Sequence, residues 1–141
     1  MSNFVLDNSV SMRWLFESGK PSDQKYAINV LESMVDASAF VPDLWHLEAA
    51  NVLLGAEKRH EISFGQIEGF VSQLGALPIH TDAFTAKQAL NSTLNLAREY
   101  KLSSYDAAYL ELAIREALPL SSLDKKLVSA AKKANVQIYL K

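Results

Sequence analysis

The sequence contains no cysteine. That absence removes disulfide frameworks, cysteine nucleophiles, Cys-ligated zinc and iron–sulfur clusters, and it leaves the compartment open on redox grounds. Long apolar runs are missing too. The longest stretch without a formal charge, Gly69 to Thr81, falls far short of the ~18 apolar residues a membrane span requires. The N-terminus has no basic start and reaches a carboxylate at Asp7, which is unlike a signal or transit peptide. A cytoplasmic protein with no membrane partner is expected. There is no internal repeat, low-complexity tract or linker. Nor is there an excess of positive charge: 14 basic residues face 16 acidic ones, for a net charge of −2. A protein that holds nucleic acid by charge alone should be basic. The balance is uneven, however, with 6 basic and 11 acidic residues over 1–97 and 8 basic and 5 acidic over 98–141.

What is present is ordinary globular material. A chain of 141 residues, 49% hydrophobic and 21% charged, fits one domain over 1–141. Short apolar runs alternate with helical periodicity. Phe4-Val5-Leu6 reads as a strand, with Ser9 as the N-cap of a helix through Met12, Leu15 and Phe16. A second helix opens near Ser22, and Ala39-Phe40-Val41 forms the next strand, closed by Pro42. A helix from Asp43 to about Arg59 follows. Ser63 and Gln66 fit a capping box, Leu77-Pro78-Ile79 a third strand, and Asp82 or Thr81 the cap of one long helix to about Tyr100. Ser103 and Asp106 open a helix to about Ala117. Leu118 to Ser121 is a fourth strand, Asp124 to Ala134 a helix, and Val136 to Leu140 a terminal strand. Strands of this length alternating with helices indicate an α/β fold: a central, mainly parallel sheet of four to five short strands covered by helices on both faces.

Most of the acids fall where helices meet water, but four do not. Asp7 ends the first strand and Asp124 lies just beyond the fourth, which puts both at the carboxyl edge, where open parallel sheets place ligands. At ~100° per residue Glu48 shares a helix face with Leu44, Asn51, Val52 and Gly55, so it is expected to face inward. In the helix from Ser104, Glu111 and Arg115 can pair at i, i+4 on the wet face, which turns Asp106 towards the sheet. No basic residue lies in the stripes beside Glu48 or Asp106. Converging carboxylates without counter-charges favour a hard divalent cation, Mg2+ or Mn2+, and the chemistry this suggests is metal-assisted phosphodiester hydrolysis. Ser9 and Ser122, each two residues from one of these acids, can donate hydrogen bonds to them; N-cap and turn roles serve as well. Lys125 and Lys126 on the last helix could contact an RNA backbone, although a solvated helix face explains them too.

Other chemistries fail on composition or spacing. His60-Glu61 lacks a histidine at 64, where Phe64 stands. His46-Leu47-Glu48 has the His-x-Glu of zinc deaminases without their cysteine pair. No nucleophile elbow, Walker loop or dinucleotide fingerprint occurs.

In its segments Val5-Leu6-Asp7-Asn8-Ser9-Val10, Pro42 to Leu53, Leu102 to Leu110 and Leu120 to Leu127, the sequence resembles PIN-domain ribonucleases of the VapC toxin type. The resemblance implies a three-layer α/β/α PIN-like domain and a magnesium- or manganese-dependent endoribonuclease, the toxin of a type II toxin–antitoxin pair. Its partners would be RNA, a VapB-type antitoxin that blocks the acidic site, and a second copy in a homodimer. Carried over by position, Asp7 and Asp106 are the principal metal ligands, and Glu48 and Asp124 complete a catalytic quartet directly or through water. Ser122 stands where the family often has threonine, and Asn8 receives no role. Two readings stand beside it: a non-catalytic module whose acidic pocket receives a basic segment, and a receiver-like signalling domain, which would usually have an acidic pair where Asp7 is followed by Asn8 and Ser9.

Overall fold

The computed structural model describes residues 3–17 and 19–141. Met1 and Ser2, on which the reading of the N-terminus partly rests, lie outside the described residues. The elements are β1 (Phe4–Leu6), α1 (Asn8–Ser11) running into a 3-10 turn (Met12–Trp14), α2 (Pro21–Ser33), β2 (Ala39–Val41), α3 (Trp45–Lys58), α4 (Phe64–Ala76) and β3 (Ile79–Thr81). There follow α5 (Thr85–Gln88), a π turn (Ala89–Thr93), α6 (Leu94–Tyr100), α7 (Ser104–Glu116), β4 (Leu120–Ser121) and α8 (Lys125–Lys133). The strands form one parallel sheet in the order β3-β2-β1-β4. Helices flank it, giving the three-layer α/β/α architecture expected from the sequence.

β1 is the central constraint. Phe4, Val5 and Leu6 are wholly buried, as a parallel strand covered on both faces must be, which is why it reads as an unbroken apolar run. It pairs with β2 through Phe4↔Ala39 and with β4 through Leu6↔Ser121. The Phe4 ring stacks on Tyr139 at 4.0 Å between centroids. Tyr139 is itself held at both ends: its carbonyl accepts from the Tyr26 hydroxyl at 2.8 Å, and its own hydroxyl donates to Ser33 at 2.8 Å.

Several elements differ from the sequence expectation. The first helix begins at Asn8, immediately after Asp7, and Ser9 is not its cap because its hydroxyl goes to the Asp7 carboxylate. The segment from Val136 to Leu140 packs on the core through Tyr139 but meets the sheet only at a single bridge, Leu120↔Ile138. The long helix expected from Asp82 is broken into three pieces around Asn91, whose φ of −125° and ψ of −105° are not helical, a local insertion of the kind that interrupts the regular ladder.

Asp82 is not a cap either. Arg115 grips it with two hydrogen bonds, Nη2 to Oδ2 at 2.6 Å and Nη1 to Oδ1 at 3.1 Å, and holds Glu111 through Nε to Oε2 at 2.8 Å. The Glu111–Arg115 pair therefore exists, but not on a wet face: Glu111 is only 5% exposed because α6 and the π turn pack against that side of α7. Removing the cation leaves two desolvated carboxylates side by side. Arg115→Ala is expected to cost about 3 kcal/mol in urea unfolding. Arg115→Lys should recover only part of that, since an ammonium cannot reproduce the two-pronged grip.

Candidate active site

The strand order reverses at β1, with β2 and β3 on one side and β4 on the other, and open α/β sheets bind ligands beyond the carboxyl ends of the strands at such a switch point. Asp7 occupies that position. Its backbone N–H donates to the Ser121 carbonyl at 3.0 Å, extending the β1–β4 pairing by one residue, and its carbonyl accepts from Val10 N–H at 3.0 Å as α1 begins. The side chain makes no cap bond. Instead Oδ2 accepts from the hydroxyls of Ser9 at 2.6 Å and Ser122 at 2.8 Å. Ser9 also ties α1 to the segment after β4, its Oγ accepting from Leu123 N–H at 2.9 Å, and within that segment Ser122 Oγ accepts from Asp124 N–H at 3.0 Å. Both hydroxyls thus serve Asp7, and neither donates to the carboxylate of Asp124.

The other acids arrive from three separate elements. Asp124 is the N-cap of α8, and its Oδ1 accepts from the N–H groups of Lys126 at 2.9 Å and Leu127 at 3.1 Å. Asp106 lies in the first turn of α7, where its N–H donates to the Ser103 hydroxyl at 3.1 Å. Glu48 lies in the first turn of α3 and accepts the Tyr109 hydroxyl at 2.5 Å on Oε1. Its face of α3 differs from expectation. The buried stripe is Trp45, Ala49, Leu53 and Ala56; Trp45 packs in the main core, while Ala49 and Leu53 join a small cluster with Met12 and Phe70. Glu48 therefore sits half-exposed at the margin of that stripe, while Asn51 and Val52 are exposed.

The four carboxylates feel one another. Burial pushes Asp7 up to about 6, the charges of Asp106 and Glu48 add to that, and the two serine hydroxyls oppose it. Burial likewise raises Glu48, with Asp106 adding and Tyr109 and Asn8 opposing. Asp106 is raised by burial and by the charge of Asp124, against Ser103 and Lys126. Asp106 is therefore the one acid in electrostatic contact with all three others. No basic residue is expected in the stripes beside Glu48 or Asp106; the opposing charge felt by Asp106 comes from a different helix, from Lys126 on α8. Among the described residues the ion pairs use Arg59 and Arg115 as their cations, and none includes a quartet member. Among the same residues no three acids or histidines are drawn together closely enough to form a ready-made metal cage.

Two residues that sequence reasoning assigned no role hold the site. Tyr109, three residues beyond Asp106 on α7, is wholly buried beneath it. Asn8 donates to the Trp45 carbonyl at 3.0 Å and lies 3.5 Å from the Tyr109 hydroxyl, fastening α1 to the starts of α3 and α7. The i, i+3 spacing from Asp106 was the only local signal for Tyr109; the partner Glu48 is 61 positions away.

No family model and no curated protein sequence matches the chain. In three dimensions it is similar to the crystal structure of PAE2754 from Pyrobaculum aerophilum, with a TM-score of 0.65 at 18% identity over 92% of this chain and 79% of that one. At that identity the likeness concerns the fold.

A carboxyl whose pKa rises from 3.8 to about 6 on folding destabilises the metal-free fold above that value, and the penalty fades as the pH falls towards ~4, where the group is neutral folded and unfolded alike. Asp7→Asn should accordingly stabilise the metal-free protein at neutral pH by on the order of 2–3 kcal/mol, with the gain shrinking towards pH ~4. Thermal melts in chelator at the two pH values measure this. Tyr109→Phe removes a hydrogen bond to a charged acceptor and should cost about 1.5–3 kcal/mol, read in the same melts at neutral pH.

Proposed function

We propose that the chain is a PIN-domain endoribonuclease of the VapC toxin type, hydrolysing RNA phosphodiester bonds with Mg2+ or Mn2+ at the acidic crevice. One observation carries the reading: carboxylates from four separate elements face the switch point of the sheet, three of them (Asp7, Glu48 and Asp106) raised by burial and by a neighbouring acid's charge, and none belongs to an ion pair among the described residues. Their donor chemistry fits the ion. Hard divalent cations take carboxylate oxygens, and Mg2+ is commonly held by one or two carboxylates with waters and substrate phosphate completing its shell. Asp7 and Asp106 are the principal ligands in this reading, with Glu48 and Asp124 acting directly or through water.

When bound, the ion supplies polarisation of the phosphate and a hydroxide-like nucleophile near neutral pH. The chain's own groups do the positioning. Ser9 and Ser122 fix the Asp7 carboxylate from one oxygen, Tyr109 fixes Glu48 through Oε1, and the α8 cap fixes Asp124 through Oδ1. Each carboxylate keeps a second oxygen for a ligand or a water. The proposed partners are RNA, a VapB-type antitoxin and a second copy of the chain. The apolar side chains left exposed on α3 and α4, Leu47, Leu54, Phe64 and Val71, are available for the protein contacts. No helix among the described residues is long and apolar enough to cross a membrane, which is compatible with action in the cytoplasm.

A second reading, a non-catalytic module whose acidic pocket receives a basic segment, is favoured by the lack of a ready-made metal cage among the described residues. Activity separates the two. The purified chain, free of any antitoxin, should cut RNA when Mg2+ or Mn2+ is added and stop when it is chelated. Asp7→Asn and Asp106→Asn should each lower cutting to the metal-free level while circular dichroism stays unchanged. Equal cleavage by wild type and both variants would sink the assignment.

A further inference from the structure

The lysines near the C-terminal end of the chain do not all share one surface. Lys126 acts on Asp106. Lys125 and Lys132, seven residues apart and therefore on one face of α8, line a cleft of about 390 Å³ together with Lys20, which precedes α2, and Lys141. One carboxylate, Asp23, shares its wall. All four lysines are exposed, and none belongs to an ion pair among the described residues. Lys141 is held in place by its Nζ, 4.6 Å from the centroid of the Tyr26 ring on α2.

The cleft begins at the acid crevice. Ser122 forms part of its wall, and the hydroxyl of that residue donates to Asp7 at 2.8 Å. A polyanion lying in this cleft would thus meet four cations outside any ion pair among the described residues, directly beside the acid crevice. Lys125 and Lys132 are separated by about 10 Å along the helix axis, room for two or three successive phosphates at about 3.4 Å or more each.

We propose that this cleft carries the phosphodiester backbone of single-stranded RNA on one side of the scissile position, with Lys20, Lys125, Lys132 and Lys141 as its phosphate contacts. The proposal rests on the RNA-cleaving reading of the acid site and adds the path the substrate takes. An open groove lined by exposed lysines, with no aromatic residue in its lining among the described residues, suits backbone tracking without base readout.

The test uses the full chain in chelator, where nothing is cut, and a fluorescent eight-nucleotide single-stranded RNA followed by anisotropy. The quadruple variant K20Q/K125Q/K132Q/K141Q should bind roughly tenfold or more weakly, and its slope of log K against log salt should be shallower by about 3, at ~0.7 per lost phosphate contact. The control K58Q/K87Q/K101Q/K133Q makes the same change of net charge outside the cleft and should stay within about threefold of wild type. Should the quadruple variant not fold, K125Q/K132Q on the exposed face of α8 should lower the slope by about half as much. Equal weakening in variant and control, unchanged binding in the cleft variants, or no RNA binding by wild type overturns the proposal. So does lysine-dependent binding of a fluorescent polyglutamate peptide with RNA binding indifferent to the same substitutions, which would assign the cleft to an acidic protein segment. Because binding is read without metal, the two readings fail separately. Lysine-dependent binding by a chain that never cuts keeps the cleft and loses the nuclease, whereas cutting with a KM unmoved by the quadruple substitution keeps the nuclease and loses the cleft.

Discussion

The pairing of β1 between β2 and β4 is the constraint on which the rest of the structure depends. Three wholly buried apolar residues fix this strand, and the next residue is the most deeply placed carboxylate of the crevice. Because Asp7 N–H still bonds Ser121, the sheet itself sets where that carboxylate stands. A shift of β1 by one residue would exchange the side chains presented to the two helical layers and would carry Asp7 away from both serines. Ser9 lies on α1, which leaves β1, and Ser122 lies just beyond β4, so strand order and the environment of Asp7 are one geometric fact.

The two sides of α7 show how the same problem is solved in two ways. Glu111 and Asp82 are nearly buried acids placed together, and Arg115 neutralises them with a dense set of charge-assisted hydrogen bonds. On the other side Asp106 feels the charges of Asp7, Glu48 and Asp124, and the chain supplies no ion-pair partner among the described residues, only hydroxyls, the Asn8 amide, two backbone N–H groups at Asp124 and the field of Lys126. The clustering itself works against folding, since gathering desolvated like charges lowers stability at neutral pH. A cluster that breaks the rule obeyed a few ångströms away on the same helix is where a functional constraint is expected. The contrast supports an external cation as the missing partner.

Legibility followed the range of the interactions. β2 was readable at Ala39–Val41 because three apolar residues closed by Pro42 permit little else, and the Ser63–Gln66 capping box is local and present in both directions. The switch-point placement of Asp7 and Asp124 could be read from strand ends alone. The burial of Glu111 could not, because one helix seen by itself gives no sign that α6 covers its second side. The break at Asn91 has no sequence mark that separates it from an ordinary helical asparagine. Tyr109 and Asn8 escaped for a related reason: their partners lie far away in the chain, and a buried tyrosine reads as core until the carboxylate above it is known. The apolar stripe drawn around Glu48 is displaced by about one position of helical rotation, which moves the residue from the centre of the buried face to its margin, although its carboxylate still turns to the buried Tyr109 hydroxyl.

The distribution of charge now has a physical shape that the net value concealed. At Ser122 a carboxylate crevice and a lysine-lined cleft share a wall, so negative and positive potentials adjoin across a single residue. A polyanion approaching this surface is drawn to the lysines and repelled by the acids beside them. With the quartet ionised it should dwell in the cleft without reaching the carboxylates. A divalent cation held by those carboxylates halves the negative charge of the ionised quartet and gives a phosphate a positive centre to meet. In the proposed reading the cation therefore does two things: it supplies the chemistry of hydrolysis, and it lowers the barrier that keeps a bound phosphate one step away from the crevice. An overall charge of −2 is compatible with an RNA partner on these terms, because what the RNA meets is the local arrangement and not the sum.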